Sequence, residues 1–451
     1  MKKIIIVSIA LMLTLVNING YNLKGASNGI LYVGGNGEGN YTRIQEAIND
    51  AEDGYTIYVY PKQYNENIVV NKSISLIGIE ENGKKPIIHA KENKSAVLIE
   101  RDGCTLKGFT IMSQEISVSQ ENPPSCEVHS DNNIIENNTF MYGVYAFYLY
   151  NSSHNQIKNN EFTKGYTAGI CTRKCSHNII SYNTARGNMG EGFLFCGETD
   201  STITQNIATE NCCGMEIYSY SHNCTISFNH IYANQQYGMG ASLSSNISIL
   251  NNKIHNHVYG GLVLADSSYC NVSGNEIYLN QVGVKLQGSG TRYASLNNVI
   301  TKNNIYSNYV GIYWELYCGN NYFTYNNLDN SVNAFFWDEI HIFDPGFPFH
   351  IYLNILYKNY WSDWNFKIPK PIKGIFTICF PRDYYNVLWF NFDWHPALEP
   401  YGNFTTKNLE KLFPSKIPAL KNVKIPIPKD YKGNKDGFMF LLRKLFTMQS
   451  H

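Results

Sequence analysis

Ile180-Ser-Tyr-Asn183-Thr-Ala185, Ile203-Thr-Gln-Asn206-Ile-Ala208, Ile226-Ser-Phe-Asn229-His-Ile231 and Ile249-Leu-Asn-Asn252-Lys-Ile254 repeat one pattern at intervals of 23 residues. Followed outward, the series grows to nine asparagines: Asn138, Asn160, Asn183, Asn206, Asn229, Asn252, Asn275, Asn303 and Asn326. An apolar residue stands three places before each, from Ile135 to Phe323, and another two places after each, from Phe140 to Leu328. The one long interval, 28 residues between Asn275 and Asn303, contains Gln287-Gly-Ser-Gly-Thr-Arg292, a loop excursion. Three columns held in register over nine repeats decide the fold.

Each unit consists of short β-branched runs with period-two alternation, broken by Asn and Gly turns, and has no helical periodicity. So short a unit cannot bury its own apolar face, so units stack, and strands separated by a full coil run parallel. The expected fold is all-β, a parallel β-helix with coils about 4.8 Å apart. The repeated asparagines then form an internal asparagine ladder, each amide bonding to the next, and belong to the scaffold.

The ends are legible too. Thr42 to Asp53 places Ile44, Ala47, Ile48 and Ala51 on one face and reads as a helix capping the open N-terminal end of the core. Alternating runs at Tyr55–Tyr60, Ile68–Val70, Ile74–Ile77, Ile87–Ala90 and Val97–Ile99 are early coils. Beyond Phe335 the register decays, and Pro345, Pro348, Pro369 and Pro371 interrupt it. The expected organisation is a leader over 1–20, a β-helix with its N-terminal cap over 28–334, an irregular C-terminal cap over 335–402, and a Lys- and Pro-rich tail over 403–451.

The chain has 451 residues with 36 basic and 36 acidic side chains, a formal charge of zero that excludes a strongly basic nucleic-acid binder. Lys2 and Lys3 precede an apolar run from Ile4 to Val16, the pattern of a secretory signal peptide. The run is shorter than the roughly 20 residues a membrane span needs. The chain is therefore expected to be secreted, on the cell surface or periplasmic, and an uncleaved leader would tether it to a membrane. Eleven cysteines at spacings matching no zinc motif read mostly as buried small hydrophobes.

Ile44-Gln-Glu-Ala-Ile48, Tyr58-Val-Tyr-Pro61, Tyr64-Asn-Glu66-Asn-Ile68 and Lys72-Ser-Ile-Ser-Leu-Ile-Gly78 resemble the start of secreted pectin-lyase-like proteins. The Asn-x-x-Ile-x-x-Asn repeats, with Asn359-Tyr-Trp-Ser-Asp363 and Asp393-Trp-His-Pro-Ala-Leu398, resemble the NosD-like group. That group includes periplasmic copper-binding proteins and the carbohydrate-binding and sugar-hydrolase (CASH) domains. The resemblance implies a right-handed β-helix and leaves function open, because this fold hosts lyases, hydrolases, epimerases and plain binders.

Alternation about the inward residues Ile170, Phe193, Met215, Met239, Leu262, Val284 and Ile312 sends Cys171, Arg173, Glu216, Tyr218, Lys285, Gln287, Tyr313 and Glu315 outward. Aromatic, charged and amide groups in one row suit a long glycan groove, and Arg173, Glu216, Tyr218, Lys285, Gln287, Tyr313 and Glu315 are the candidate binding residues. An enzyme acting on such a polymer, a lyase, hydrolase or epimerase, needs converging carboxylates or a calcium cluster beside a base. Glu191, Glu198, Glu216 and Arg173 form the only acid–base group on consecutive coils, and no complete catalytic set is recognisable. A third reading is metal: His154, His177 and Asp200 stand 23 residues apart and would stack where copper or zinc can bind. The same column continues as Asn223 and Asn246, which a turn requirement explains without a metal.

Overall fold

The computed structural model of the protein describes residues 29–114, 122–290, 293–341, 354–379 and 384–404. The leader read over 1–20 and all but the start of the tail lie outside these residues. Each coil contributes one strand to each of three parallel sheets. The apolar residues three places before the repeat asparagines lie in the first sheet, where Ile157, Ile180, Ile203, Ile226 and Ile249 pair in register. Those two places after lie in the second sheet, where Phe162, Ala185, Ala208, Ile231 and Ile254 pair likewise. The third sheet has the longest coil strands: Tyr145–Tyr150, Ala168–Arg173, Glu191–Cys196, Cys213–Tyr218, Tyr237–Ser242, Gly260–Ala265, Val282–Gln287, Val310–Glu315 and Val332–His341. The protein is a right-handed parallel β-helix of about 13 turns. Its core is the sum of the inward columns, and each fully buried Ile, Leu or Phe contributes roughly 1.5–3 kcal/mol by leaving water.

The corner between first and second sheets explains the asparagines. The residue before each anchor is left-handed, as at Tyr182 (φ 58°), Gln205 (φ 57°) and Phe228 (φ 55°), a conformation that costs about 1–2 kcal/mol outside glycine. The anchor offsets this with hydrogen bonds in both directions along the stack. Asn206 donates its N–H to Asn229 Oδ1 at 2.8 Å, and its Nδ2 donates to Ile180 O at 2.9 Å and to Asn229 Oδ1 at 3.1 Å. The same bonds repeat from Asn138 to Asn326 and carry on to Asn359. There Asp393 Oδ2 accepts the Asn359 N–H at 3.0 Å, its Nδ2 at 3.1 Å and Trp361 Nε1 at 3.0 Å. A last member needs only to accept, so a carboxylate suffices, and the Asp393-Trp-His segment is a scaffold end.

Two further interior columns mark the other corners. Asn133, Asn155 and Asn178 form one, and Asn188, Asn211, Asn234, His257, Asn280 and Asn308 the other. Glu198 belongs inside with them: it is fully buried and accepts from Thr172, Ser201 and Asn178. The sequence alone groups it with Glu191, Glu216 and Arg173 as an acid–base set, from which its enclosure removes it. Burial raises its carboxyl above the usual range.

The N-terminal helix spans Ile44–Asp50, shorter than 42–53, and buries Ile44, Ala47 and Ile48 over the first coils. Glu66 Oε1 and Oε2 accept the N–H groups of Ile44 and Gln45 at 2.9 and 3.1 Å. At the other end, Lys370–Cys379 extends the third sheet, and Tyr384–Asp393 returns antiparallel to it before meeting Leu356 of the first sheet. This hairpin departs from the coil pattern and joins two sheets at the terminus.

Candidate functional site

The outer face of the third sheet holds the candidate residues because its strands are long and most of them alternate from their central inward residue onward. Inward residues such as Phe193, Met239 and Val284 are buried, and their neighbours Leu194, Gly240 and Lys285 face outward. Two cross-coil columns shape the face: Tyr237, Gly260, Val282 and Val310 in one, and Gly240, Val263, Lys285 and Tyr313 in the other. Small side chains at Gly260 and Val282 leave a depression that the Tyr237 ring overhangs. A Cβ at Gly260 would lie only 3.1 Å from that ring.

The depression is a cavity of about 210 Å³ whose walls include Tyr237, Tyr259, Lys285, Tyr313, Glu315 and Trp337. Lys285 Nζ and Glu315 Oε1 are 2.8 Å apart, and the ammonium stands 5.8 Å from the centre of the Tyr313 ring. Burial, followed by the Glu315 charge, pushes the Tyr313 phenol far above its usual range, so it stays a neutral donor. Trp337 Nε1 donates to Thr377 Oγ1 at 2.9 Å, which ties the indole to the C-terminal hairpin. Rings, an ion pair with spare hydrogen-bonding capacity, and the Gln281 amide can together hold a ring that is apolar on its faces and hydroxylated at its edge.

Of the seven candidates, the structure brings Lys285, Tyr313 and Glu315 together, with Gln287 two residues farther along the Lys285 strand. Arg173, Glu216 and Tyr218 lie apart. The Glu216 strand is three strands from that of Lys285, roughly 14 Å at coil spacing. Glu216 Oε1 accepts from Ser242 Oγ at 3.2 Å, and burial raises its carboxyl. Burial, then the Glu216 charge, raises Glu191 as well. The Tyr148 phenol beside Arg173 raises the guanidinium pKa further. Tyr218 is 41% exposed. Cys171, read as solvent-facing, is buried instead among Cys196, Tyr145 and Arg173.

The second sheet also carries an outward aromatic column, but its ring faces are already occupied. His255, Tyr278 and Tyr306 stack with centroids 4.5 and 4.9 Å apart and are nearly fully covered.

His154, His177 and Asp200 do not form a metal cage. The two imidazoles stack face to face, 5.0 Å between centroids and 7° between planes. Asp200 Oδ1 accepts from Asn223 Nδ2 at 3.0 Å, and Asn223 Oδ1 from Asn246 Nδ2 at 2.7 Å. All five residues are left-handed, with φ between 53° and 58°. The column is thus occupied by residue types that tolerate this turn. Among the described residues no three His, Cys, Asp or Glu side chains gather where a metal ion would sit. The ten cysteines whose side chains are described are free thiols, seven of them buried.

Tyr237, Tyr259 and Trp337 escaped the sequence reading. Tyr237 stands two residues before the inward Met239, a position that alternation assigns to the interior, but Gly238 and Met239 are buried in succession and leave Tyr237 outside. Tyr259 precedes its strand, and Trp337 lies where the asparagine register had been given up.

The sequence profile of the family described as periplasmic copper-binding protein (NosD) matches residues 37–260 and 213–365. A cell surface glycoprotein of Methanothermus fervidus is 27% identical over 49% of this chain and 50% of its own length, so the chain spans about half of that relative. Among solved structures, the A-module of mannuronan C-5 epimerase AlgE6 from Azotobacter vinelandii shares 16% identity, with a TM-score of 0.47, over 69% of this chain and 91% of that one. The Dettilon tailspike protein shares 15%, with a TM-score of 0.49, over 65% of this chain and 63% of its own. The catalytic domain of an alpha-1,3-glucanase in complex with tetrasaccharides shares 15%, with a TM-score of 0.46, over 69% and 64%. Among the described residues no helix is long and apolar enough to cross a membrane.

Proposed function

The chain belongs to the NosD family, and from that premise we propose that it is an exported β-helix protein that recognises a polysaccharide or surface glycan along the outer face of its third sheet. One observation carries this reading: the cavity where Tyr237, Tyr259, Tyr313 and Trp337 surround the Lys285–Glu315 pair. Its aromatic rings can pack on the C–H face of a pyranose while the ion pair and amides bond its hydroxyls. The leader-like N-terminus, a family described as periplasmic and a relative named a cell surface glycoprotein support an extracytoplasmic place for it.

A glycan array probed with the purified chain tests the proposal, followed by titration of the best ligand. Tyr313→Ala is expected to weaken binding about tenfold, since aromatic contacts of this kind are worth roughly 0.5–1.5 kcal/mol beyond buried area. Its melting temperature serves as the control for the lost stacking of Tyr313 on Phe335, whose ring centroids are 6.1 Å apart. A ligand that maps to another face, or no glycan ligand at all, defeats the reading.

A second reading, an enzyme that modifies such a polymer, is favoured by one feature. Glu191 and Glu216 are half-buried carboxyls whose pKa burial raises, the direction a general acid requires, with Arg173 two strands from Glu216 along the same face. Product release from the bound glycan that Glu216→Gln abolishes would establish it. Product release that survives in Glu216→Gln removes this pair from the chemistry.

A further inference from the structure

We infer that the sugar seated in the Lys285–Glu315 cavity is uncharged, neither a uronate nor a hexosamine with a free amine. The inference rests on the glycan reading above and adds the class of substrate to it.

The argument starts from the charges that line the cavity. Among the described residues, Lys285 and Glu315 are the only acidic or basic side chains in its walls. They neutralise each other at 2.8 Å, with about a quarter or less of each side chain exposed. A uronate carboxylate that reaches the free hydrogens of the ammonium must sit beside Glu315. That leaves two carboxylates facing one cation in a partly dry site, where like charges repel strongly. A sugar ammonium meets the mirror-image conflict with Lys285. A neutral pyranose disturbs neither partner. Its hydroxyls use the hydrogens that Lys285 does not direct at Glu315 and the lone pairs that Glu315 does not direct at Lys285. At about 210 Å³ the cavity is smaller than pockets for drug-sized ligands, which suits a single sugar ring.

The rest of the face points the same way. A polymer running from the cavity toward the N-terminal coils crosses Glu216 and Glu191, and neither is ion-paired among the described residues. A chain of uronates would place negative charge over both. Arg173 lies beyond them, one strand from Glu191, and cannot neutralise two carboxylates.

Titration calorimetry of the purified chain with oligosaccharides of matched length separates the outcomes. The probes are neutral gluco-oligosaccharides and galacto-oligosaccharides, oligogalacturonate, and chitosan oligomers. The expected result is binding of a neutral probe about tenfold or more tighter than either charged class, the factor that one charge-assisted bond of about 1.5 kcal/mol provides. Glu315→Gln frees the ammonium and is expected to shift the ratio of uronate to neutral binding upward by about the same factor. Lys285→Met frees the carboxylate and is expected to shift the ratio toward chitosan. Preference of the wild type for oligogalacturonate or chitosan overturns the inference while leaving glycan recognition standing. Ratios unchanged in both variants also overturn it, because the cavity then does not select. Binding of none of the probes, with no ligand on a wider array, removes the glycan reading itself and this inference with it.

Discussion

Replacing Asn206 by leucine is expected to destabilise the protein by at least about 3 kcal/mol. The Asn206 side chain accepts the Asn183 N–H at 2.9 Å and its Nδ2 at 3.1 Å, and it donates to Ile180 O and Asn229 Oδ1. Leucine can replace none of these bonds. It strands the Asn183 N–H and takes one bond each from Asn183 Nδ2, Ile180 O and Asn229 Oδ1, and a stranded buried donor alone costs about 1–3 kcal/mol. The site is fully buried, so water does not reach it to compensate. The left-handed Gln205 also loses the bonds that offset its strain. Chemical denaturation read by circular dichroism gives the global change. Native-state hydrogen exchange should place the loss in the coils around Ile180 to Ile231. An unchanged midpoint for both Asn206→Leu and Asn229→Leu would mean that these side-chain bonds do not hold the coils together.

Acid is expected to destabilise the protein through two histidines that the coils bury. His257 takes an asparagine's place in the interior: its Nδ1 accepts the Asn234 N–H at 3.3 Å, so the proton sits on Nε2, facing Ile231 O at 3.2 Å. Burial holds its pKa down at about 4, against the usual 6.5. His255, 2.9 Å from His230 through Nε2, is held down to about 3, by burial first and then by the His230 and Lys253 charges. A histidine with a depressed folded pKa binds its proton more readily in the unfolded chain. Its contribution is therefore present above 6.5 and is lost as pH falls from there toward 4 and 3. For His257 alone the loss is about 3 kcal/mol across that window. Glu198 acts with the opposite sign. Its raised pKa makes its contribution full at low pH and lost as pH rises through the folded value. Comparison of wild type with His257→Asn isolates the histidine, because asparagine restores the residue of the neighbouring coils. Melting temperatures measured from pH 7 to pH 4 should fall less steeply in the variant. Parallel curves would show that His257 stays neutral, or titrates freely, in both states.

What could be read from sequence divides along physical lines. The repeat gave the architecture because interior positions recur: every coil must supply Ile or Phe at the same place and an amide at the same corner. Asn133, Asn155 and Asn178 obey the same logic but were hidden, because Ser201, Cys224, Ile247 and Cys270 follow them in the column. Glu198 is grouped with Glu191 and Glu216 in the sequence for the same reason. It occupies a position where Ser152, Ser221 and Ser244 stand on other coils, and one carboxylate among serines looks like a surface residue until its three donors are seen. Outer positions do not have to recur, so the face was legible only by alternation. That rule found Lys285, Tyr313 and Glu315 but could not tell that Gly260 and Val282 hollow the sheet beneath Tyr237. The histidine and aspartate at 154, 177 and 200 illustrate the converse, since perfect spacing there reflects a repeated left-handed turn.

Glycan recognition on the third sheet is tested most directly by hydrogen–deuterium exchange of the full chain with and without its best array ligand. Protection is expected in Tyr237–Ser242, Gly260–Ala265, Val282–Gln287 and Val310–Glu315, while the outer faces of the first and second sheets exchange as in the free protein. Protection centred on either of those sheets, or exchange unaltered at saturating ligand, would contradict it.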